Sequence, residues 1–184
     1  MAGALGNTAL GHQALSSITS AGNNVGIGKD SADALTTGAN NVAIGAFALS
    51  TATDVEYTVA IGGNALNALN HGDADGTIAI GYAAGLNITS GRYNTIMGYQ
   101  AGDSITDGDS STIIGYQAGS AITAAGNTGS TLIGYKAGNA LTSGGSNTFI
   151  GTGAASATTD IDKAVIIGVD ALETGVATSG ADGT

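Results

Sequence analysis

The chain of 184 residues has no cysteine, no proline and no tryptophan, and only two phenylalanines. Without cysteine there are no disulfides, thiolate metal ligands or thiol nucleophiles, and the redox compartment stays open. Basic residues are almost as scarce: Lys29, Arg92, Lys136 and Lys163 stand against 14 acids, for a formal net charge of −10. Four cations cannot neutralise a phosphate backbone, so a nucleic-acid partner is excluded. No apolar run approaches the ~20 residues of a membrane span, so no membrane insertion is expected. Met1–Leu10 carries neither the positive charge nor the apolar stretch of a secretory signal peptide.

What is present is glycine, 32 residues of it, and small or branched aliphatics within a hydrophobic fraction of 42%. That fraction is too high for a disordered acidic tail. With aromatics at 4%, the core must be narrow and built from Ala, Ile, Val and Leu. The length suits a single domain.

A repeat runs through the whole of it. One glycine recurs as Gly11, Gly28, Gly45, Gly62, Gly81, Gly98, Gly115, Gly134, Gly151 and Gly168, at spacings of 17 residues with two of 19. Taking this anchor as position 0, position −1 is always large and apolar (Leu10, Ile27, Ile44, Ile61, Ile80, Met97, Ile114, Ile133, Ile150, Ile167) and position −3 is always β-branched. Position +3 is Ala in all coils but one, where it is Ser31, and +7 is Ile or Leu in most. The two longer spacings place insertions around His71–Gly76 and Ala124–Gly129, in the same connecting segment.

Positions −3 and −1 share a face of any strand that holds them, and β-branched residues favour such a surface. Seventeen residues are too few for a helix pair with turns and fit one coil of a solenoid, which cannot fold without its neighbours. The expected fold is all-β, a parallel β-solenoid (β-roll) of ten ~17-residue coils over residues 1–184, about 50 Å long at ~4.8 Å per coil, with almost no helix. The −1 and −3 rows are expected inside, and the Asn-Asn and Thr-Ser-Gly clusters at turns.

Three units, Thr95–Gly102, Thr112–Gly119 and Thr131–Gly138, read Thr-x-x-Gly-Tyr-(Gln/Lys)-Ala-Gly. They resemble the repeats of phage tail-fibre and bacterial surface-fibre proteins. Val42–Gly45, Val59–Gly62 and Ile78–Gly81 resemble the Val-Ala-Ile-Gly repeats of trimeric autotransporter adhesin heads, although the 17-residue period is longer than theirs. The resemblance covers nearly the whole chain. It implies a parallel β-roll, usually a homotrimer, that serves as shaft or adhesive head on a virion or in the extracellular space.

Four candidate features remain. His12 and His71 are the only histidines and match no nucleophile or acid at a catalytic spacing, so no enzymatic role is expected. Acid pairs recur at −8 and −6: Asp54 and Glu56, Asp73 and Asp75, Asp107 and Asp109, Asp160 and Asp162. Stacked on neighbouring coils, the first two pairs could hold calcium; equally, they could be a solvated turn kept acidic for solubility. Tyr82, Tyr99, Tyr116 and Tyr135 form a ladder at +1, as a glycan-binding stripe or as structural stacking. Wherever +1 is Tyr, +4 is Gly, which suggests that the ring covers space that Leu fills in other coils.

The fourth feature is position −2, which changes from Ala or Gly in coils one to five to Ile96, Ile113, Leu132, Phe149 and Ile166 in coils six to ten. With −1 and −3 inside, this row faces outward and needs a partner, and a parallel homotrimer would bury it. Gly180–Thr184 resembles Asp73–Thr77, where a strand begins, so an eleventh coil or end-to-end filament stacking is expected. A structural fibre segment needs no cofactor and is the leading functional expectation. An adhesin head binding a host-surface glycan or receptor is the alternative. An ice-binding solenoid ranks below both, because Thr occupies −3 only in coils one and six to nine.

Overall fold

A computed structural model describes residues 5–70, 75–123 and 128–173. They form a parallel β-solenoid. Ten three-residue strands lie in one sheet in sequential order: β1 (Thr8–Leu10), β2 (Val25–Ile27), β3 (Val42–Ile44), β4 (Val59–Ile61), β5 (Ile78–Ile80), β6 (Thr95–Met97), β7 (Thr112–Ile114), β8 (Thr131–Ile133), β9 (Thr148–Ile150) and β10 (Val165–Ile167). Each strand is the −3 to −1 triplet of a coil, and equivalent positions pair in register, as Ile114 does with Ile133. There is no helix among the described residues.

The anchor glycine turns the chain at the end of each strand with φ near +130°, for example 139° at Gly115, where a side chain is strained. Space forbids one as well, because a Cβ on Gly115 would strike the carbonyl of Gly134 in the next coil. The backbone leaves the ordinary regions again at −5, +2 and +4, as at Tyr93 (58°), Gln100 (51°) and Leu66 (48°). Each such non-glycine residue costs about 1–2 kcal/mol. Hydrogen bonds between coils offset this: Gln100 N donates to Tyr82 O at 2.9 Å, and Gly102 N to Ala118 O at 2.9 Å.

The core lies on the opposite side of the strands from the one the sequence suggests. Ile96, Ile113, Leu132 and Phe149 at −2 are fully buried within their own chain, while the −1 and −3 rows point outward and stay partly or largely exposed. Ile166 packs partly buried against the same core. The proposed interface row of Ile96, Ile113, Leu132, Phe149 and Ile166 is therefore interior, and the trimer loses the surface on which it rested. At ~1.5–3 kcal/mol per buried side chain, this row is a main source of stability in the later coils.

The facing wall is made by +3, +4 and +7, with Ala101, Ala118, Ile105, Ile122 and Leu141 buried there. Its +4 position explains the covariation differently from the tyrosine reading. A Cβ on Gly119 would meet Leu132 Cδ1 at 2.9 Å, and one on Gly138 would meet Phe149 Cδ2 at 3.0 Å. Conversely, a Cβ on Gly26 would lie 2.6 Å from Leu15 Cγ. Position +4 of one coil thus faces −2 of the next, and the two are never both large; at Ala32 and Ala43 neither is. The tyrosines are outside and take no part in this exchange.

One inner corner is polar. Position −4 holds Asn24, Asn41, Thr58, Thr77, Asn94, Ser111, Ser130 and Asn147, all buried. All of these side-chain oxygens except that of Thr58 accept from the backbone N–H of −4 in the following coil, as Asn41 Oδ1 does from Thr58 N at 2.9 Å and Asn94 Oδ1 from Ser111 N at 2.9 Å. The asparagines also donate from Nδ2 to a carbonyl across the corner, Asn41 to Val55 O at 2.7 Å. The Asn-Asn clusters that look like turns supply one exposed residue and one buried rung.

Candidate functional site

Three outer surfaces carry the candidate chemistry. The first begins one residue past the anchor, where the chain turns the corner and +1 faces solvent. Tyr82, Tyr99, Tyr116 and Tyr135 stack there with ring centroids 5.3, 5.4 and 5.3 Å apart and interplanar angles of 21°, 9° and 11°. The rings are about half exposed. Because they stack along the solenoid axis, their faces cover one another and solvent meets mainly edges and hydroxyls. The outer face of Tyr135 is also occupied, with the Lys136 ammonium 5.4 Å from its ring centroid. Beside the ladder Gln117 Nε2 donates to Gln100 Oε1 at 3.1 Å. Sugar binding by aromatics uses open ring faces, which this ladder has largely spent on itself.

The second surface is the acidic corner. Three of the −6 acids act on the backbone of the preceding coil. Asp75 Oδ1 accepts from Glu56 N at 2.7 Å, Asp109 Oδ1 from Arg92 N at 2.8 Å, and Asp162 Oδ1 from Gly145 N at 2.7 Å. Asp109 also pairs with the Arg92 guanidinium at 3.5 Å. At −8, Asp54 and Asp107 are exposed and accept from the hydroxyls of Thr53 and Thr106. Asp160 shares a bridge with Ser143. Asp73 and His71 lie outside the described residues, as do residues 124–127 of the second insertion and 174–184 of the C-terminal continuation. Among the described residues no three His, Asp or Glu side chains gather closely enough to hold a metal ion. Asp75, Asp109 and Asp162 each spend a carboxylate oxygen on a backbone donor, which leaves those corners with fewer free ligand atoms for calcium.

His12 is exposed, with Nδ1 3.3 Å from Asp30 Oδ1, and Lys29 Nζ reaches the same carboxylate at 3.6 Å. Asp103 stands apart. Its Oδ1 is buried without a partner, and burial pushes its carboxyl above the ordinary value.

The third surface is one the sequence reading assigned to the interior. The first and third residues of β1–β10 form a flat strip of Thr, Val and Ile beside Ile, Leu and Met, with no charged residue in it. Its end rungs are the most open, with Leu10 67% and Ile167 63% exposed. A further row at +8 also escaped notice: Thr19, Thr36, Thr89 and Thr142 each donate a hydroxyl hydrogen bond to a carbonyl of the next coil, at 2.8–3.1 Å. The recurring Thr-Ser and Thr-Thr pairs before the turns are the signal for it.

No family model matches the chain, and no curated protein or solved structure shows a significant match to it.

Proposed function

We propose that the chain is a structural fibre segment, a stiff spacer in a tail fibre or related extracellular filament at a virion or cell surface, and that it associates with further copies of itself. The observation that carries this reading is the uninterrupted ladder: ten strands in one in-register sheet, with side chains of the same position stacked in core, polar corner and outer surface alike. Such a repeat puts its sequence into length and rigidity. The reading assigns no catalytic step and no cofactor.

An adhesive head is the second reading, favoured by the exposed tyrosine ladder. Its closed ring faces argue against it. The two separate on the double substitution Tyr99→Ala/Tyr116→Ala. A spacer loses thermal stability and no attachment. Loss of binding to host cells or to a glycan array, with an unchanged Tm, would overturn the spacer reading in favour of the adhesin.

A further inference from the structure

We propose that the outward strip of the sheet is the contact between two copies of this chain, packed face to face about a two-fold axis. This rests on the self-associating fibre reading and names the face it uses.

Twenty residues form the strip, the first and third of each strand, and none is charged although the chain carries 14 acids and four bases. With charged residues at 10% of the chain, twenty positions would carry about two by composition alone. Fifteen of the twenty are apolar and the other five are Thr, and a large exposed apolar patch marks a contact. Charge depletion is also what separates the centre of an interface from its surroundings.

The size fits. A stable interface uses about 20–30 residues and ~800 Å² from each partner, and the twenty residues of the strip reach that count. Shape fits as well. Strands of one sheet repeat at ~4.8 Å, so the ridges of one copy match the grooves of an identical one, and two sheets pack ~10 Å apart with side chains interleaved. A strip with one flat face gives each chain a single contact, which an isologous pair consumes; a ring of three needs two contact faces per chain.

Electrostatics set a further condition. Two copies of net charge −10 repel, but the acid pairs sit on the corner before the strand rather than on the strip. Repulsion is long-range and screened by salt, whereas the apolar contact is not. Association should therefore tighten as salt is raised.

The test is sedimentation equilibrium of the full chain at 50 mM and 500 mM NaCl. The expected mass is twice 17.5 kDa, with tighter association at the higher salt. Thr112→Lys/Ile114→Lys places two like charges at the centre of the strip and should weaken association at least 100-fold, with unchanged circular dichroism. Thr152→Lys, exposed at +1 and off the strip, should leave the mass unaltered. Should the double variant fail to fold, single cysteines decide instead. In a chain with no cysteine of its own, a bis-maleimide of ~10 Å span should link chains carrying Met97→Cys, beside the midpoint of the strip, in pairs and should leave Thr152→Cys chains unlinked. A wild-type monomer at 100 µM overturns the proposal. So does a three-chain mass, a double variant that keeps its dimer, or thermal hysteresis from a monomer, which would give the strip to ice. A monomer that still images as a stiff rod would sink the docking face alone and leave the spacer reading to the attachment assay.

Discussion

Coils one to four and coils six to nine fill the same core from opposite walls. In the earlier set Leu15, Leu49 and Leu66 project from +4 toward Gly or Ala at −2. In the later set Ile113, Leu132 and Phe149 project from −2 toward Gly102, Gly119 and Gly138. The backbone barely notices: φ is 54° at Leu49 and 57° at Gly119. A coil is thus constrained in the volume it encloses, and the side chain that supplies it is free to come from either wall. The outer surfaces change near the same boundary, with tyrosines at +1 in coils five to eight and threonines at −3 in coils six to nine.

The sharpest way to break this comparison is to convert a later coil into an earlier one. Leu132→Ala should cost about 3 kcal/mol or more in chemical denaturation. Adding Gly119→Leu should recover about half of that, because the new side chain refills the space from the facing wall. Gly119→Leu alone should destabilise by about 1–3 kcal/mol through overpacking. A double variant no more stable than Leu132→Ala alone would show that the walls are not interchangeable.

The polar corner differs between regions too. Asn41 makes bonds at both ends of its amide, whereas Ser130 Oγ accepts from Asn147 N at 3.3 Å. Asn41→Ala should cost about 2–3 kcal/mol by stranding a buried N–H and a carbonyl, and Ser130→Ala about 1 kcal/mol. Equal losses would mean that the serine corner is as strong as the asparagine one.

The tyrosine ladder gives a smaller effect with opposite signs in the two regions. Tyr116→Ala removes two stacked contacts and should cost about 1–2 kcal/mol. Gly63→Tyr should extend the ladder into coil four and raise stability by about 0.5–1 kcal/mol. A Cβ there meets Tyr82 Cδ2 at 3.5 Å, an ordinary contact.

Smallest is Asp103→Asn. Desolvation raises the folded-state pKa of Asp103 above its ordinary 3.8. Between those values the folded chain binds more protons than the unfolded one, so this contribution to stability falls as pH rises through that window. The variant should therefore melt on the order of 1 °C higher at pH 7, with the gain shrinking on acidification toward the carboxylate range. A gain independent of pH would place the effect in packing rather than charge.

The strand triplets, their parallel pairing and their register were legible because anchor glycine, β-branched −3 and apolar −1 recur without exception. Which face is interior was not. Ile at −1 is large in nearly every coil, and −2 is Ala or Gly in half of them, so side-chain size points to the wrong face. The interior row varies because it shares its volume with +4. The buried asparagines were hidden for a related cause: at −4 and −5 the same residue type serves as rung in one position and as positive-φ turn in the next, as Asn41 and Asn40 do. The acid pairs were visible as a pattern, but the bonds that Asp75, Asp109 and Asp162 make to the preceding coil are set by the turn of the solenoid, which spacing does not reveal.

The strand order from β1 to β10 also fixes how such a rod responds to tension. The two edges of the sheet are its two ends, so a pull along the axis loads the bonds of one coil boundary at a time and peels rather than shears. Each detachment pays out 17 or 19 residues, about 55–65 Å of slack at ~3.4 Å per residue. The rod is then a spool as much as a strut: rigid below the force that frees its weakest coil, and above it yielding in regular steps that dissipate the load without parting the chain.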